Sequence, residues 1–148
     1  MAHAGIKPNK LVGKPVTPNA ITHASRRTLT YLENHGYPFA RLVTGNSEIS
    51  LSTLSMEMEV LPGPFITLDT LYIYGNARIS RHFIESHLQF HKGAPYSNKA
   101  IRGYTKRISS LQFLHMVRPI EVEFIPNGSR LYLYLSNQKA NQLSGIIG

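Results

Sequence analysis

The chain carries seven histidines, a single aspartate and no cysteine, and these residues decide first which chemistries are open to it. Without cysteine there is no thiol nucleophile, no disulfide framework and no zinc knuckle. His87 and His91 are four apart, a spacing that on an unbroken helix turns two imidazoles to one side for a metal. The helix is expected to fail near His91, and no cysteine or aspartate completes a shell, so both read as ordinary histidines. No metal and no cofactor is assigned. Asp69 falls inside a strand pattern. No Ser/His/Asp set, pair of catalytic acids or phosphate-cradling Gly-Lys-Ser loop is legible. Asn127-Gly128-Ser129 fits a glycosylation sequon, but a tight turn accounts for it fully.

Charge is the next chemical signal. The net charge of +8 and pI near 9.9 favour anionic partners such as nucleic acid or lipid headgroups. The cations are dispersed, however: Lys7, Arg26, Arg41, Arg78, Lys99, Arg118 and Lys139 sit in different segments, and no run resembles a nucleic-acid arm. Lys99, Arg102 and Lys106 align on one side of an expected helix, with Arg107 beside them. A solvated helix face explains them most simply; the sharper reading is attraction to anionic lipid headgroups, which salt would weaken. No apolar stretch approaches the ~18 residues of a membrane-spanning helix. The opening "MAHAGIKPNK" lacks the apolar core of a signal peptide, so an export signal would have to lie outside this chain.

The elements that must position these residues follow from periodicity. "GKPVTPNAI" (13–21) and "GAPYSNKAI" (93–101) share glycine, proline, hydroxyl and Ala-Ile at one offset, and the match continues to Arg27 and Arg107. Each reads as a helix entrance, capped by Thr17 and Ser97. Pro18 takes the first helical position, where its missing N–H costs nothing. The first helix would face inward with Ile21, Ala24, Thr28, Tyr31 and Leu32 and end at Gly36. The second would use Ile101, Tyr104, Ile108 and Leu111. "PFITLDTLYIYGN" (64–76) reads as a strand, and Ser80 opens a further helix to about residue 90. Ile120, Val122 and Phe124 alternate with Glu121 and Glu123 before the turn at Asn127-Gly128; Leu131, Leu133 and Leu135 then alternate with Tyr132 and Tyr134. Phe39–Thr44 likewise lead through Gly45-Asn46 into the alternation of Leu54, Met56, Met58 and Val60, a second expected hairpin. The repeating unit is strand–helix–helix–strand–strand, about 75 residues in its complete copy.

That order, β-α-α-β-β, resembles POTRA domains, the polypeptide-transport-associated modules that precede outer-membrane β-barrels in the barrel-assembly and surface-antigen family. "LYIYGNARIS" is similar to the family's first strand and its Gly-Asn exit, "KGAPYS" to its Gly-x-Pro-aromatic turn, and "RISSLQFLHMV" to the passage into its second strand. "YLENHGYPFARL" and "EVLPGPFITLDTLYIYGN" resemble the end of one such module and its junction with the next. The resemblance covers roughly residues 12–137 and rests on many weak positions. The expected fold class is α+β: tandem modules, each a three-stranded sheet with two helices on one face. Residues 1–62 would be the later part of a first, truncated module, 63–137 a complete one, and "QKANQLSGIIG" (138–148) the start of a β-barrel.

The resemblance implies a non-enzymatic protein on the periplasmic face of the Gram-negative outer membrane. Its implied partners are unfolded outer-membrane or secreted polypeptides, accessory lipoproteins of the assembly machinery and the barrel of its own parent chain. The physical route would be β-augmentation, an extended peptide pairing with a sheet edge. The candidate edge is the strand around 117–124, with Val117, Arg118, Ile120, Glu121, Val122 and Glu123. Pro119 suits an edge, where a missing N–H breaks no ladder bond, and the glutamates would discourage self-pairing. If the first and third strands of this module are neighbours, Tyr72, Tyr74, Tyr132 and Tyr134 share the face opposite the helices, as a contact surface or as cross-strand packing. Two rival functions draw on the same residues. The charge and tyrosines suit a small basic nucleic-acid-binding domain that stacks bases, and a structural spacer needs no binding at all.

Overall fold

The computed structural model describes Gly13, Pro15 and residues 17–139. The expectations placed on residues 1–12, and on 140–148 of the barrel-strand segment, lie outside the described residues. The fold is mixed α+β, and the chain divides between Phe65 and Ile66 into two units.

Among its described residues, unit 1 holds one helix and one hairpin. Helix α1 (Pro18–Glu33) starts where Thr17 Oγ1 accepts a hydrogen bond from the Ala20 N–H at 3.2 Å, with proline at its first position. Thr28 and Leu32 are its buried residues, and the Thr28 hydroxyl donates to the Ala24 carbonyl at 2.9 Å, so its burial leaves no donor unsatisfied. Strands β1 (Arg41–Ser50) and β2 (Thr53–Leu61) pair antiparallel from Arg41↔Leu61 to Ser50↔Thr53. Gly45-Asn46 does not form the hairpin turn, which lies at Leu51-Ser52 instead. The two residues sit in a bulge between Thr44↔Met58 and Ser47↔Met56. Gly-Asn offers the same backbone freedom to a bulge as to a turn, and the ladder from Glu48 to Ser50 decides between them.

Unit 2 is built on its last strand. β3 (Thr67–Tyr74), β4 (Leu114–Ile125) and β5 (Gly128–Asn137) form a sheet in the order β3-β5-β4, with β5 parallel to β3 and antiparallel to β4. Leu131, Leu133 and Leu135 alternate along β5 and are 0% exposed. They pack with Leu68 and Leu71 of β3 under helices α2 (Arg81–Leu88) and α3 (Asn98–Ser109), which contribute Ile84, Leu88, Ile101, Tyr104 and Ile108. Pro126 and Asn127 close the β4–β5 hairpin; Asn127 has φ 59°, the left-handed value that a type II turn requires at its third residue.

The helices start and stop for local reasons. Ser80 and Ser97 accept from the N–H groups of Phe83 and Ala100, both at 3.1 Å. α2 ends at Leu88, short of the expected residue 90, because Gln89 turns left-handed at φ 56°. Arg107 on α3 then donates to the Leu88 carbonyl at 2.5 Å and to Gln89 Oε1 at 3.1 Å, satisfying the helix end. Gly93 turns at φ 88°, and the segment it opens runs antiparallel to the start of β3. Gly93 and Tyr96 donate to the carbonyls of Leu68 and Ile66 at 2.7 and 2.9 Å, and Leu68 donates to Ala94 at 2.8 Å. "GAPY" is therefore both a helix entrance and a cover for half of one sheet border. At the other end of β3, Gly75 (φ 105°) lies so close to the backbone of Leu135 that a Cβ there would approach its carbonyl oxygen to 2.0 Å.

Replacing Leu133 by alanine empties the middle of this core and should destabilise unit 2 by about 2–5 kcal/mol. Urea denaturation followed by near-ultraviolet circular dichroism of the tyrosines checks it.

Candidate functional site

Among the described residues, β4 lies at a border of the unit 2 sheet, with β5 on one side only. Its pairing to β5 is one-to-one from Leu114↔Asn137 to Met116↔Leu135, and again from Glu121↔Tyr132 to Ile125↔Gly128. Between these stretches the register slips on each side of Arg118↔Tyr134. Val117, Pro119 and Ile120 occupy the irregular region, and Val117 is 59% exposed. The strand starts at Leu114, earlier than expected, held where the Gln138 N–H reaches the Phe113 carbonyl at 3.0 Å. The six candidate edge residues thus fall into distinct settings. Ile120 and Val122 pack toward the core, Glu121 and Glu123 reach the opposite face with Arg118, and Val117 stands in the bulged region. A regular border with strand spacing runs over Glu121–Ile125.

The face opposite the helices is a ladder of tyrosines. Tyr72 lies across from Tyr132 and Tyr74 across from Tyr134, with ring centroids 5.3 and 5.7 Å apart and planes within 14° and 22°. Tyr74 and Tyr132 stack diagonally at 6.0 Å. The hydroxyls then turn to β4: Tyr132 donates to Glu123, and Tyr134 donates to Glu121 at 2.9 Å. The Arg118 guanidinium sits 3.6 Å over the Tyr134 ring and bonds Glu121 at 3.3 Å, closing the row as a cation–π cap. Arg130 approaches Glu123 at 3.6 Å. The rings stack on one another and two of the four hydroxyls, those of Tyr132 and Tyr134, are bonded to β4, while Tyr74 remains 48% exposed. Cross-strand packing accounts for these ring contacts. The Tyr–Glu pairing was not legible beforehand, because the slips in β4 decide which glutamate meets which tyrosine.

Losing the phenolic proton would break each of these bonds and place a second anion beside the carboxylate. The hydrogen bond to Glu123 raises Tyr132 above its ordinary value of 10.0, and that to Glu121 does the same for Tyr134. Asp69 moves the other way: the Thr70 hydroxyl bonds its carboxylate at 2.8 Å, Lys92 stands 3.7 Å off, and its pKa is lowered.

Lys99, Arg102 and Lys106 are exposed on α3, whereas Arg107 is committed to the end of α2. His87 and His91 do not share a helical face, since α2 stops between them. Their rings meet the backbone carbonyls of Arg107 and Gln89, at 3.0 and 2.8 Å. Among the described residues no group of three or more histidine, aspartate or glutamate side chains could hold a metal, and no helix is long and apolar enough to cross a membrane.

No protein-family model and no curated protein sequence matches the chain. Solved structures do. BamA from Haemophilus ducreyi lacking POTRA domains 1–3 superposes with a TM-score of 0.65 at 14% identity, over 85% of this chain and 24% of that one. Haemophilus influenzae BamA POTRA3–5 does so with a TM-score of 0.54 at 15% identity, over 80% of this chain and 48% of that one. The chain has a POTRA-like fold. It spans less than half the length of either structure, and the likeness is one of backbone. POTRA-like architecture accounts for the sheet order that leaves β4 at a border.

The tyrosine–glutamate bonds give a test with a defined sign. Their stabilisation is complete below about pH 10, where unfolded tyrosines are protonated. It is lost as pH rises through the higher folded-state values of Tyr132 and Tyr134. Replacing both Glu121 and Glu123 by glutamine should move the tyrosine titration down toward the ordinary value, read by ultraviolet difference absorbance. An unmoved titration would mean that the carboxylates do not hold these hydroxyls in solution.

Proposed function

We propose that unit 2 is a POTRA module that docks extended polypeptide along the β4 border, in a non-enzymatic protein of outer-membrane assembly or translocation. The observation that carries this reading is the pairing pattern of β4: a border strand with regular spacing over Glu121–Ile125, interrupted just before it. An added strand draws affinity from main-chain hydrogen bonds, which any sequence supplies, and selectivity from the side chains that flank the border. Pro119 and the register slips beside it restrict pairing to a short stretch, which limits uncontrolled edge-to-edge association while leaving room for a peptide. The clients are unfolded outer-membrane or secreted polypeptides, with accessory lipoproteins and the parent chain's barrel as further partners. The setting is the periplasmic face of the outer membrane. The exposed Lys99, Arg102 and Lys106 face suits contact with anionic headgroups there.

The test is amide hydrogen exchange of the whole chain with an amphipathic peptide of about 10 residues, the length of an outer-membrane barrel strand. Protection should appear at Glu121–Ile125 and not on α3. In an antiparallel strand adjacent N–H groups point to opposite sides. Of Val122→Pro and Glu123→Pro, one should therefore break the β5 ladder, while the other leaves the fold intact and weakens peptide binding. Binding should persist between about 50 and 200 mM salt, whereas a nucleic-acid contact would fall steeply over that range. Steep salt dependence with a single-stranded oligonucleotide, together with no peptide protection, would replace this reading by the nucleic-acid one.

A further inference from the structure

The turn between β4 and β5 carries chemistry that peptide docking does not use. Asn127 alone among the asparagines is followed by glycine. It is exposed and left-handed, and among the described residues its side-chain amide has no hydrogen-bond partner. Gly128 leaves little room for a larger residue. A Cβ there would stand 3.3 Å from Ile125 Cγ1 and 3.6 Å from Asp69 Cβ. The packing that demands glycine thus leaves a backbone nitrogen with no side chain to shield it, next to a free carboxamide.

One residue of another strand holds this turn. Thr67, the first residue of β3, donates its N–H and its hydroxyl to the Asn127 carbonyl at 3.3 and 3.2 Å. The Thr67 carbonyl in turn accepts from Ser129 Oγ at 2.9 Å, on a residue that is 0% exposed. Thr67 and Gly128 are register partners where β3 meets β5. The peptide between Asn127 and Gly128 is therefore fixed by the start of β3.

We propose that Asn127 is a modification site, converting to aspartate and isoaspartate with water as the only co-reactant, and that Thr67 gates the conversion. The Gly128 nitrogen attacks Asn127 Cγ. The N–Cγ bond forms, the Cγ–Nδ2 bond breaks, and ammonia leaves with the proton of the attacking N–H. Water then opens the cyclic imide at either carbonyl, giving aspartate or a main chain routed through the side-chain carboxyl. Closing the ring swings the peptide between residues 127 and 128, which the two bonds from Thr67 resist. The opening required is local to the hairpin end and leaves the rest of the sheet folded. Coupling runs both ways. Isoaspartate adds a methylene to the main chain and displaces the carbonyl that Thr67 holds, so the modification loosens the start of β3. The new carboxylate also stands one residue from the glycine that neighbours Asp69, the chain's single aspartate.

The test incubates the whole chain at neutral and mildly alkaline pH and follows each asparagine by peptide mapping with mass spectrometry. Asn127 should convert several-fold faster than Asn46 or Asn76, faster at the higher pH, and to both products. Thr67→Val removes one of the two bonds on the carbonyl and should speed conversion about fivefold, the share of one hydrogen bond. Thr67→Ser keeps the hydroxyl and should convert at the original rate. In the acidic form, separated by ion exchange, the Thr67 amide should exchange about fivefold faster than in the unmodified chain. Asn127→Gly keeps the left-handed backbone, lacks the carboxamide and should form the acidic species far more slowly. An Asn127 that stays intact in the folded chain while the urea-unfolded chain converts would mean that the turn shields it, and would overturn the proposal. An unchanged rate in Thr67→Val that remains folded by circular dichroism, unchanged Thr67 exchange in the acidic form, or an acidic species forming as fast in Asn127→Gly would each do the same. Peptide docking at β4 is read separately, by protection at Glu121–Ile125.

Discussion

The strict alternation of β5 is the constraint on which unit 2 rests. Leu131, Leu133 and Leu135 point into the core, and Tyr132 and Tyr134 point away from it. With both long edges hydrogen-bonded, this strand belongs in the middle of the sheet, and its two neighbours inherit its facing. β3 places Leu71 beside Leu131 and Tyr72 beside Tyr132. β4 lays Val122 against Leu131 and Glu121 against Tyr132. A shift of one residue in either neighbour would exchange the apolar and polar faces, so a single register sets the core and the tyrosine ladder together.

Sheet borders are a hazard as well as an opportunity, and unit 2 treats its own differently. The β3 border is covered at its start by the backbone of Gly93–Tyr96. The β4 border is interrupted around Pro119 and flanked by glutamates that are already engaged with tyrosines. What stays regular is short.

Among the described residues, unit 1 offers the same helix-and-hairpin construction with fewer buried side chains. Its buried residues on α1 are Thr28 and Leu32, and much of its hairpin's apolar face stays open to solvent. Among the described residues the units differ in the strands beside the last one, β1 beside β2 and both β3 and β4 beside β5, and not in the local signals that begin the helix or alternate along the hairpin.

Those local signals were readable in the amino-acid sequence. Helix entrances at Thr17, Ser80 and Ser97 follow from hydroxyl side chains placed to accept N–H bonds. The alternation of β5 and the turn at Asn127 follow from side-chain period and backbone freedom, and the β-α-α-β-β order of unit 2 follows from both. Gly45-Asn46 shows the limit: a bulge and a turn ask the same of these residues, and only pairing with β2 separates them. The end of α2 at Leu88, the covering of β3 by Gly93–Tyr96 and the pairing of Glu121 and Glu123 with Tyr134 and Tyr132 were likewise settled in three dimensions. Each depends on groups distant in the chain meeting across a register. Propensity and period act over a few residues and were fixed by sequence alone; the choice of neighbour is made by the packing that satisfies all strands at once.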